Sequence, residues 1–113
     1  MGLEIIKEVY KKKSEEKERL RKRIVDDAFK ALEKLNDEIS FEEAYIFGSV
    51  TEPYRFGEYS DVDFAFRGLE SDKLFYAVAC LSGYLDREVN VVCIEDIHFS
   101  DKIIREGIKW KKR

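Results

Sequence analysis

The sequence is poor in the residues that build metal centres and disulfide frameworks. Its 113 residues include a single histidine, His98, and two cysteines, Cys80 and Cys93, which lie in apolar runs without the spacing of metal ligands. A zinc site is therefore not expected, and His98 is interpreted as a loop residue. The cysteines are predicted to be buried free thiols in a reducing compartment.

Long apolar runs, repeats and low-complexity linkers are also missing. No apolar run reaches the length of a membrane span, and the N-terminus has no features of a signal peptide. Membrane association is not expected, and the predicted location is cytoplasmic. The chain is predicted to be one domain, 1–113, with a helical N-terminal segment, 1–37, and a core, 41–110.

Charged residues of both signs are abundant. They make up 40% of the chain, and the net charge is −3. An acidic balance gives no general electrostatic footprint for nucleic acid, so nucleic-acid binding is not expected. The enrichment in Lys and Glu resembles that of thermophile proteins and predicts a hot habitat.

The N-terminal segment has helical periodicity. Residues 3–37 are predicted to be helical, with a break near Ser14, where a new helix would be capped. Eleven of the thirteen residues from Lys11 to Arg23 are charged. This run is interpreted either as a solvated helix with ion pairs or as a projecting arm that contacts a partner or nucleic acid, although acids interrupt its basic residues. The apolar stripe consists of Leu20, Ile24, Ala28, Ala31, Leu32 and Leu35.

The remaining elements predict an α/β (α+β) fold, with a small mixed β-sheet flanked by helices. Strands are expected at about 44–47, 61–67 and 88–94, a helix at 70–83 and a final helix to the C-terminus. Ser100 is the expected N-cap of the final helix. The predicted apolar positions of the 70–83 helix are Leu74, Phe75, Val78, Ala79 and Leu81; those of the final helix are Ile103, Ile104, Ile108 and Trp110.

Two short motifs lie close together between the first two strands. Gly48-Ser49 ends the first apolar run, and Asp61 and Asp63 lie at the start of the second strand. Glycine lets a backbone turn approach a ligand closely, and exposed N–H groups with the Ser49 hydroxyl can bind a phosphate. The combination predicts a phosphate-binding turn beside a metal site.

Strand geometry supports the metal site. Residues two apart on a strand share a face, so Asp61, Asp63 and Ala65 lie opposite the apolar face of Val62 and Phe64. Two neighbouring carboxylates repel unless a cation lies between them. Mg²⁺ prefers one or two carboxylates together with substrate phosphate oxygens, so Mg²⁺, or Mn²⁺, is the expected ion.

These motifs resemble the minimal nucleotidyltransferases (MNT), the smallest members of the superfamily with a DNA polymerase β-like core. The family pattern is a strand, Gly-Ser, about ten residues and Ser-Asp-hydrophobic-Asp, here Ser60-Asp61-Val62-Asp63. Val89-Asn90-Val91-Val92 occupies the place of its third-strand motif, and Arg105-Glu106-Gly107-Ile108 that of its final-helix segment. The resemblance covers about residues 41–110. It implies a nucleotidyltransferase-like core, with Asp61, Asp63 and Asn90 at the catalytic positions and Gly48, Ser49 and Ser60 at the nucleotide.

The sequence departs from the family at two places. Asn90 stands where the family usually has Asp, and an amide cannot act as a general base. Glu88 shares strand parity with Asn90 and is either its substitute or a solvated residue. Glu52-Pro53 replaces the usual Arg-Gly, with Arg55 as a compensating cation or an exposed loop residue.

The loop 50–60 is rich in aromatic side chains. Tyr54, Phe56 and Tyr59 are interpreted in two ways, as side chains that pack the loop onto the core or as a cover for a base or ribose.

The resemblance implies two alternative functions. One is transfer of a nucleotide, AMP from ATP foremost, to a hydroxyl of a partner protein, as antitoxin members do when paired with HEPN ribonuclease toxins. The other is a binding module that neutralises or scaffolds its partner without transfer, which Asn90 and Glu52 favour. The expected partners are an NTP and a HEPN-like protein or a further copy of this chain.

Overall fold

The computed structural model describes the backbone of residues 2–111 and the side chains of residues 5–110. Three short 3-10 turns, at Gly48–Thr51, Ser71–Lys73 and Ile94–Asp96, connect the longer elements. Those elements, in chain order, are α1 (Gly2–Glu38), β1 (Glu43–Phe47), β2 (Val62–Arg67), α2 (Leu74–Leu85), β3 (Val89–Cys93), α3 (Ser100–Glu106) and β4 (Ile108–Lys111). No described helix is both long and apolar enough to span a membrane.

The four strands form one mixed sheet, as the sequence predicts. Their order is β3-β2-β1-β4, with β2 and β3 parallel and the other pairs antiparallel. Helix α2 makes the crossover between the parallel strands. The carboxyl end of β1 therefore lies beside the amino ends of β2 and β3, because β1 runs antiparallel to both.

Helices cover both faces of the sheet. The alternating residues Val62, Phe64 and Phe66 are fully buried against α1 and α2, which confirms the predicted apolar face of β2. A smaller cluster on the opposite face joins Ala65 to Ile103 of α3. Asp63 lies on this second face and is half-buried.

Helix α1 continues through Ser14, so the predicted break is wrong. Ser14 lies within a run of strong helix formers, mostly Lys, Glu and Arg, and its incomplete capping box gives no reason to restart the helix. The predicted apolar stripe is confirmed at its centre, since Ile24, Ala28 and Leu32 are buried.

The final helix is shorter than predicted. It ends at Glu106, and Ile108–Lys111 forms edge strand β4, paired with β1. The alternation of Ile108 and Trp110 with lysines has the period of a strand, and Trp110 is buried with its ring 5.3 Å from that of Phe41. Lys109 and Lys111 therefore lie on a strand and not at the end of the predicted helix, and Lys112 and Arg113 lie outside the described residues.

The buried face of α2 also differs from the prediction. Its buried residues are Ala77, Leu81 and Leu85, of which Leu81 was predicted, whereas Phe75 is 84% exposed and Ala79 is exposed. The buried residues of α2 recur every four residues, so Phe75 and Ala79 lie on the side of the helix that faces solvent.

Three side-chain predictions near the surface are corrected. Ser100 is the first residue of α3 and not its cap, which is Phe99. Cys80 and Cys93 are free thiols, as predicted, but they are only half-buried. Burial raises the pKa of the Cys93 thiol, with Asp96 and Glu95 adding to the effect.

A polar cluster lies on the α3 face, away from Asp63. The Glu43 carboxylate accepts hydrogen bonds from the Tyr45 hydroxyl (2.9 Å) and Arg67 Nε (3.1 Å), and it forms an ion pair with Lys109 Nζ (3.2 Å). These three interactions, the tyrosine bond foremost, lower the pKa of Glu43 from 4.5 to about 2.

This lowered pKa predicts an acid-sensitive contribution to stability. The contribution is complete above pH 4.5 and is lost as the pH falls towards 2, because the folded protein must then protonate Glu43. Glu43→Gln should flatten the pH dependence of the urea midpoint over that range. The exposed neighbour Glu42→Gln serves as the control, and equal slopes for wild type and Glu43→Gln would contradict the assignment.

Candidate functional site

Two adjacent parallel strands bring three polar side chains to one edge of the sheet. Asp63 on β2 lies directly opposite Asn90 on β3, and Asp61 comes just before β2. Asp61 and Asn90 are exposed, whereas Asp63 is half-buried. The register thus joins the predicted catalytic positions at one place on the surface.

The side chain of Asn90 bridges the two carboxylates. Its amide nitrogen donates to Asp63 Oδ1 at 2.9 Å and lies 3.4 Å from Asp61 Oδ2. A neutral donor between two anions relieves part of their repulsion in the absence of a cation. Asn90 therefore stabilises the pair, a role that an aspartate at the same position cannot perform.

The Gly48 turn lies against the same carboxylate. Phe47, the last residue of β1, pairs with Asp63, and Gly48 follows with φ of +83°. A Cβ atom at Gly48 would overlap Asp63 Oδ2 and lie 3.3 Å from its Cγ. Glycine is thus required both for the backbone conformation and for the close approach to Asp63.

The 3-10 turn after Gly48 is held by its own hydrogen bonds. The Thr51 hydroxyl donates to the Gly48 carbonyl at 2.7 Å, and the Glu52 N–H donates to the Ser49 carbonyl at 3.1 Å. Ser49 is half-buried within this turn. The predicted phosphate-binding residues and the carboxylates therefore occupy neighbouring positions.

Ser60 has a structural partner within the site loop. Its Oγ accepts a hydrogen bond from the Gly57 N–H at 2.9 Å, and its own N–H donates to the Gly57 carbonyl at 3.2 Å. These two bonds fix the turn that leads into Asp61. The predicted contact of Ser60 with nucleotide stays a prediction.

Arg87 is a residue of the site that the sequence analysis missed. It donates to the carbonyl of Ser60 at 2.8 Å and to that of Gly57 at 3.4 Å, and its guanidinium lies 4.8 Å from the centre of the Phe56 ring. Burial lowers its pKa, and the nearby Asp61 acts in the opposite direction. Arg87 thus holds the loop that positions Asp61.

The loop aromatics divide between the two predicted roles. Phe56 is fully buried and packs the loop onto the core, whereas Tyr54 is 60% and Tyr59 92% exposed. In the same loop Arg55 forms an exposed ion pair with Glu52 at 3.2 Å, so this cation offsets the acid near Gly48.

Clefts flank the site on both sides. One, of about 240 Å³, lies between the Gly48 turn and α3 and includes Glu52, Phe99 and Lys102 in its wall. A wider one, of about 610 Å³, lies beside Asp61 and includes Tyr59, Arg87 and Glu88. Glu88 is exposed in that cleft. The residue that forms a hydrogen bond with Asp63 is Asn90.

The donor atoms fit a hard divalent cation. Asp61 and Asp63 supply carboxylate oxygens within 3.4 Å of one atom, the Asn90 nitrogen, and a rotated Asn90 amide would offer a carbonyl oxygen. Two carboxylates with phosphate oxygens suit Mg²⁺. Within the described residues, no group of three or more His, Cys, Asp and Glu side chains is arranged around a possible ion.

Comparison with known proteins identifies the fold. No protein-family model and no curated protein matches the chain. Among solved structures, a toxin–antitoxin with AMP-PNP gives a TM-score of 0.62 at 19% identity, covering 75% of this chain and 74% of that one. The toxin–antitoxin MntA-HepT gives 0.56 at 20% identity, covering 76% and 71%.

A third structure matches more of the chain. A proposed nucleotidyltransferase from Sulfolobus solfataricus has a TM-score of 0.54 and 22% identity, and the match covers 88% of both chains. This chain has the nucleotidyltransferase fold. The fold expected from Gly48, Asp61 and Asp63 is thereby confirmed.

Proposed function

We propose that this protein binds a nucleoside triphosphate with Mg²⁺ and transfers the nucleotide to a hydroxyl of a partner protein. The observation that supports this most directly is the close approach of the Gly48 backbone to Asp63, with Asp61 and Asn90 on the same edge of the sheet. A backbone turn that can bind phosphate, beside two carboxylates that can bind a cation, suits a nucleotide with its metal ion.

Each element of the site has a role in this proposal. The backbone around Gly48 and Ser49 binds the phosphates, while Asp61 and Asp63 hold Mg²⁺, which when bound neutralises charge on the phosphates. The acceptor oxygen bonds to the α-phosphorus. The bond from the α-phosphorus to the oxygen that bridges it to the β-phosphorus breaks, and pyrophosphate leaves. Asn90 cannot take the hydroxyl proton, which passes to water.

The acceptor is proposed to be a protein. The compared structures include toxin–antitoxin assemblies, which supports pairing with a HEPN-like toxin. The wide cleft beside Asp61 is open to an incoming side chain, on the side of the carboxylates away from α3. ATP is the proposed nucleotide because one of the matched structures contains AMP-PNP.

A second candidate function is favoured by Asn90. Because its amide donates to both aspartates, the site is stabilised without a metal and lacks the third carboxylate. A protein of this kind would bind nucleotide, or its partner alone, without transfer. The two functions differ in whether nucleotide label reaches the partner.

Nucleotide binding provides the first test. We expect AMP-PNP to bind in the presence of Mg²⁺, and Asp61→Asn with Asp63→Asn to weaken that binding by more than about 100-fold, the upper end of the cost of losing only an outer-shell partner of a metal ligand. Titration calorimetry with and without Mg²⁺ measures both effects. Asp86→Asn is the control, because it neutralises an acidic residue that lines the wide cleft but is not one of the two aspartates.

The outcome of the titration separates the hypotheses. Binding that is unchanged in the double variant would show that the aspartates do not hold the metal. If binding behaves as expected, transfer of α-phosphate label from ATP to the copurifying partner distinguishes the nucleotidyltransferase from the binding module.

A further inference from the structure

Helix α1 extends well beyond the rest of the molecule. Its 37 residues span about 55 Å at 1.5 Å per residue, and the longest molecular dimension is 58 Å against 27 and 24 Å for the others. Helix α1 is hydrogen-bonded to the loop 50–60 at two residues. Glu18 accepts from the Tyr54 N–H, and Arg21 donates to the Val50 carbonyl. We call residues 5–17 the arm.

The arm exposes apolar side chains that a solvated helix does not need. Ile5, Ile6, Val9 and Tyr10 lie within two turns and are each about half or more exposed. Contiguous apolar surface on a projecting element is typical of an interface. The charge around these residues indicates what kind of surface covers them.

Charge is distributed unevenly along α1. Residues 5–23 contain nine basic and four acidic side chains, whereas residues 24–38 contain two basic and five acidic ones. The helix macrodipole acts on the terminal turns, where it favours acids at the N-terminus and bases at the C-terminus. The last turn carries Asp37 and Glu38 and no basic residue.

The acidic half of α1 forms one wall of a groove. Small residues, Ala31 of α1 with Ala79 and Gly83 of α2, line a groove of about 310 Å³ between the two helices. Tyr84 borders it, with Lys34 Nζ 4.8 Å from its ring centre, and Glu38 lies at its end. A second helix can approach closely where side chains are this small.

We propose that the protein forms a homodimer in which the two α1 helices run antiparallel and each arm lies over the α1–α2 groove of the other copy. An antiparallel pair places the basic half of each helix against the acidic half of its partner and opposes the two macrodipoles. Two-fold symmetry makes both contacts at once. The exposed apolar residues of each arm are then covered by the groove.

A second copy suits the arm better than nucleic acid does. Four glutamates, among them Glu8 and Glu15, interrupt the basic residues of positions 5–23, and phosphates would repel them. The charge pattern of α1 is instead complementary to itself when reversed. The proposal is independent of nucleotide chemistry, since it involves none of the site residues.

A charge exchange tests the antiparallel arrangement. Lys11→Glu with Lys12→Glu makes the arm acidic. Glu33→Lys with Asp37→Lys makes the second half of α1 basic beside the groove, whose own charged residues are Lys34 and Glu38. All four exchanged side chains are exposed. Each double variant alone should raise the dimer Kd at least about tenfold, because like charges then meet at both contacts. An equimolar mixture should dimerise like wild type, because both contacts are again complementary.

Sedimentation equilibrium over a range of protein concentrations measures these constants, and far-UV circular dichroism checks that α1 stays helical. A dimer that is restored only in the mixture supports the proposal. A monomeric wild type, including one that binds RNA in a salt-dependent way, would overturn it. So would variants that dimerise normally, or a mixture that stays monomeric.

Discussion

Asn90→Asp is expected to increase nucleotidyl transfer by about 10²–10⁴-fold, the usual contribution of a general base. The substitution places a carboxylate opposite Asp63, at the position from which a proton acceptor can reach an incoming hydroxyl. The rate of label transfer from α-phosphate-labelled ATP to the partner measures the effect. Wild type and Asn90→Ala, which lacks both the base and the bridging amide, are the comparisons.

The same variant has a second readout that needs no acceptor. Loss of the 2.9 Å bond to Asp63 leaves three carboxylates together, so Asn90→Asp should have a lower Tm than wild type without metal. Mg²⁺ should restore it, because a cation then replaces the amide between the anions. Mg²⁺ should raise the Tm of Asn90→Ala less, because alanine adds no ligand for the cation. A Tm that Mg²⁺ does not raise, with no gain in transfer, would show that position 90 does not complete a metal site.

The core of the site could be predicted because its signals are local. Gly48, Asp61 and Asp63 lie within sixteen residues of sequence, and strand parity alone places both aspartates on one face. The resemblance assigns Asn90 to the same site, and the structure adds its register opposite Asp63. Short-range rules are sufficient here because the site is built where adjacent strands begin.

The missed features depend on contacts distant in sequence. Arg87 reaches carbonyl groups 27 and 30 residues earlier in the chain, and an arginine after a helix has no signature for such contacts. The β4 strand was missed for a different reason. The alternation of Ile108 and Trp110 with lysines has the period of a strand but covers only four residues, and the resemblance assigns these residues to a final-helix segment.

Gly48→Ala is expected to abolish Mg²⁺-dependent nucleotide binding and to destabilise the protein by about 1–3 kcal/mol, the usual cost of a strained backbone conformation. Alanine disfavours the φ of +83°, and its methyl group would overlap the Asp63 carboxylate. Relief requires either the turn or Asp63 to move, and each movement separates the phosphate turn from the cation site. Calorimetric titration with AMP-PNP and a urea unfolding curve measure the two effects.

Gly68→Ala is a matched control for this prediction. Gly68 also has a positive φ, +75°, but its new Cβ would contact the Glu42 side chain, with Cγ at 2.9 Å, at the opposite end of β2. A flexible glutamate can move aside, so this variant should lose stability through backbone strain and keep nucleotide binding. If Gly48→Ala bound nucleotide as well as Gly68→Ala does, the contact between the glycine turn and Asp63 would have no part in nucleotide recognition, and the proposed function would lose its main support.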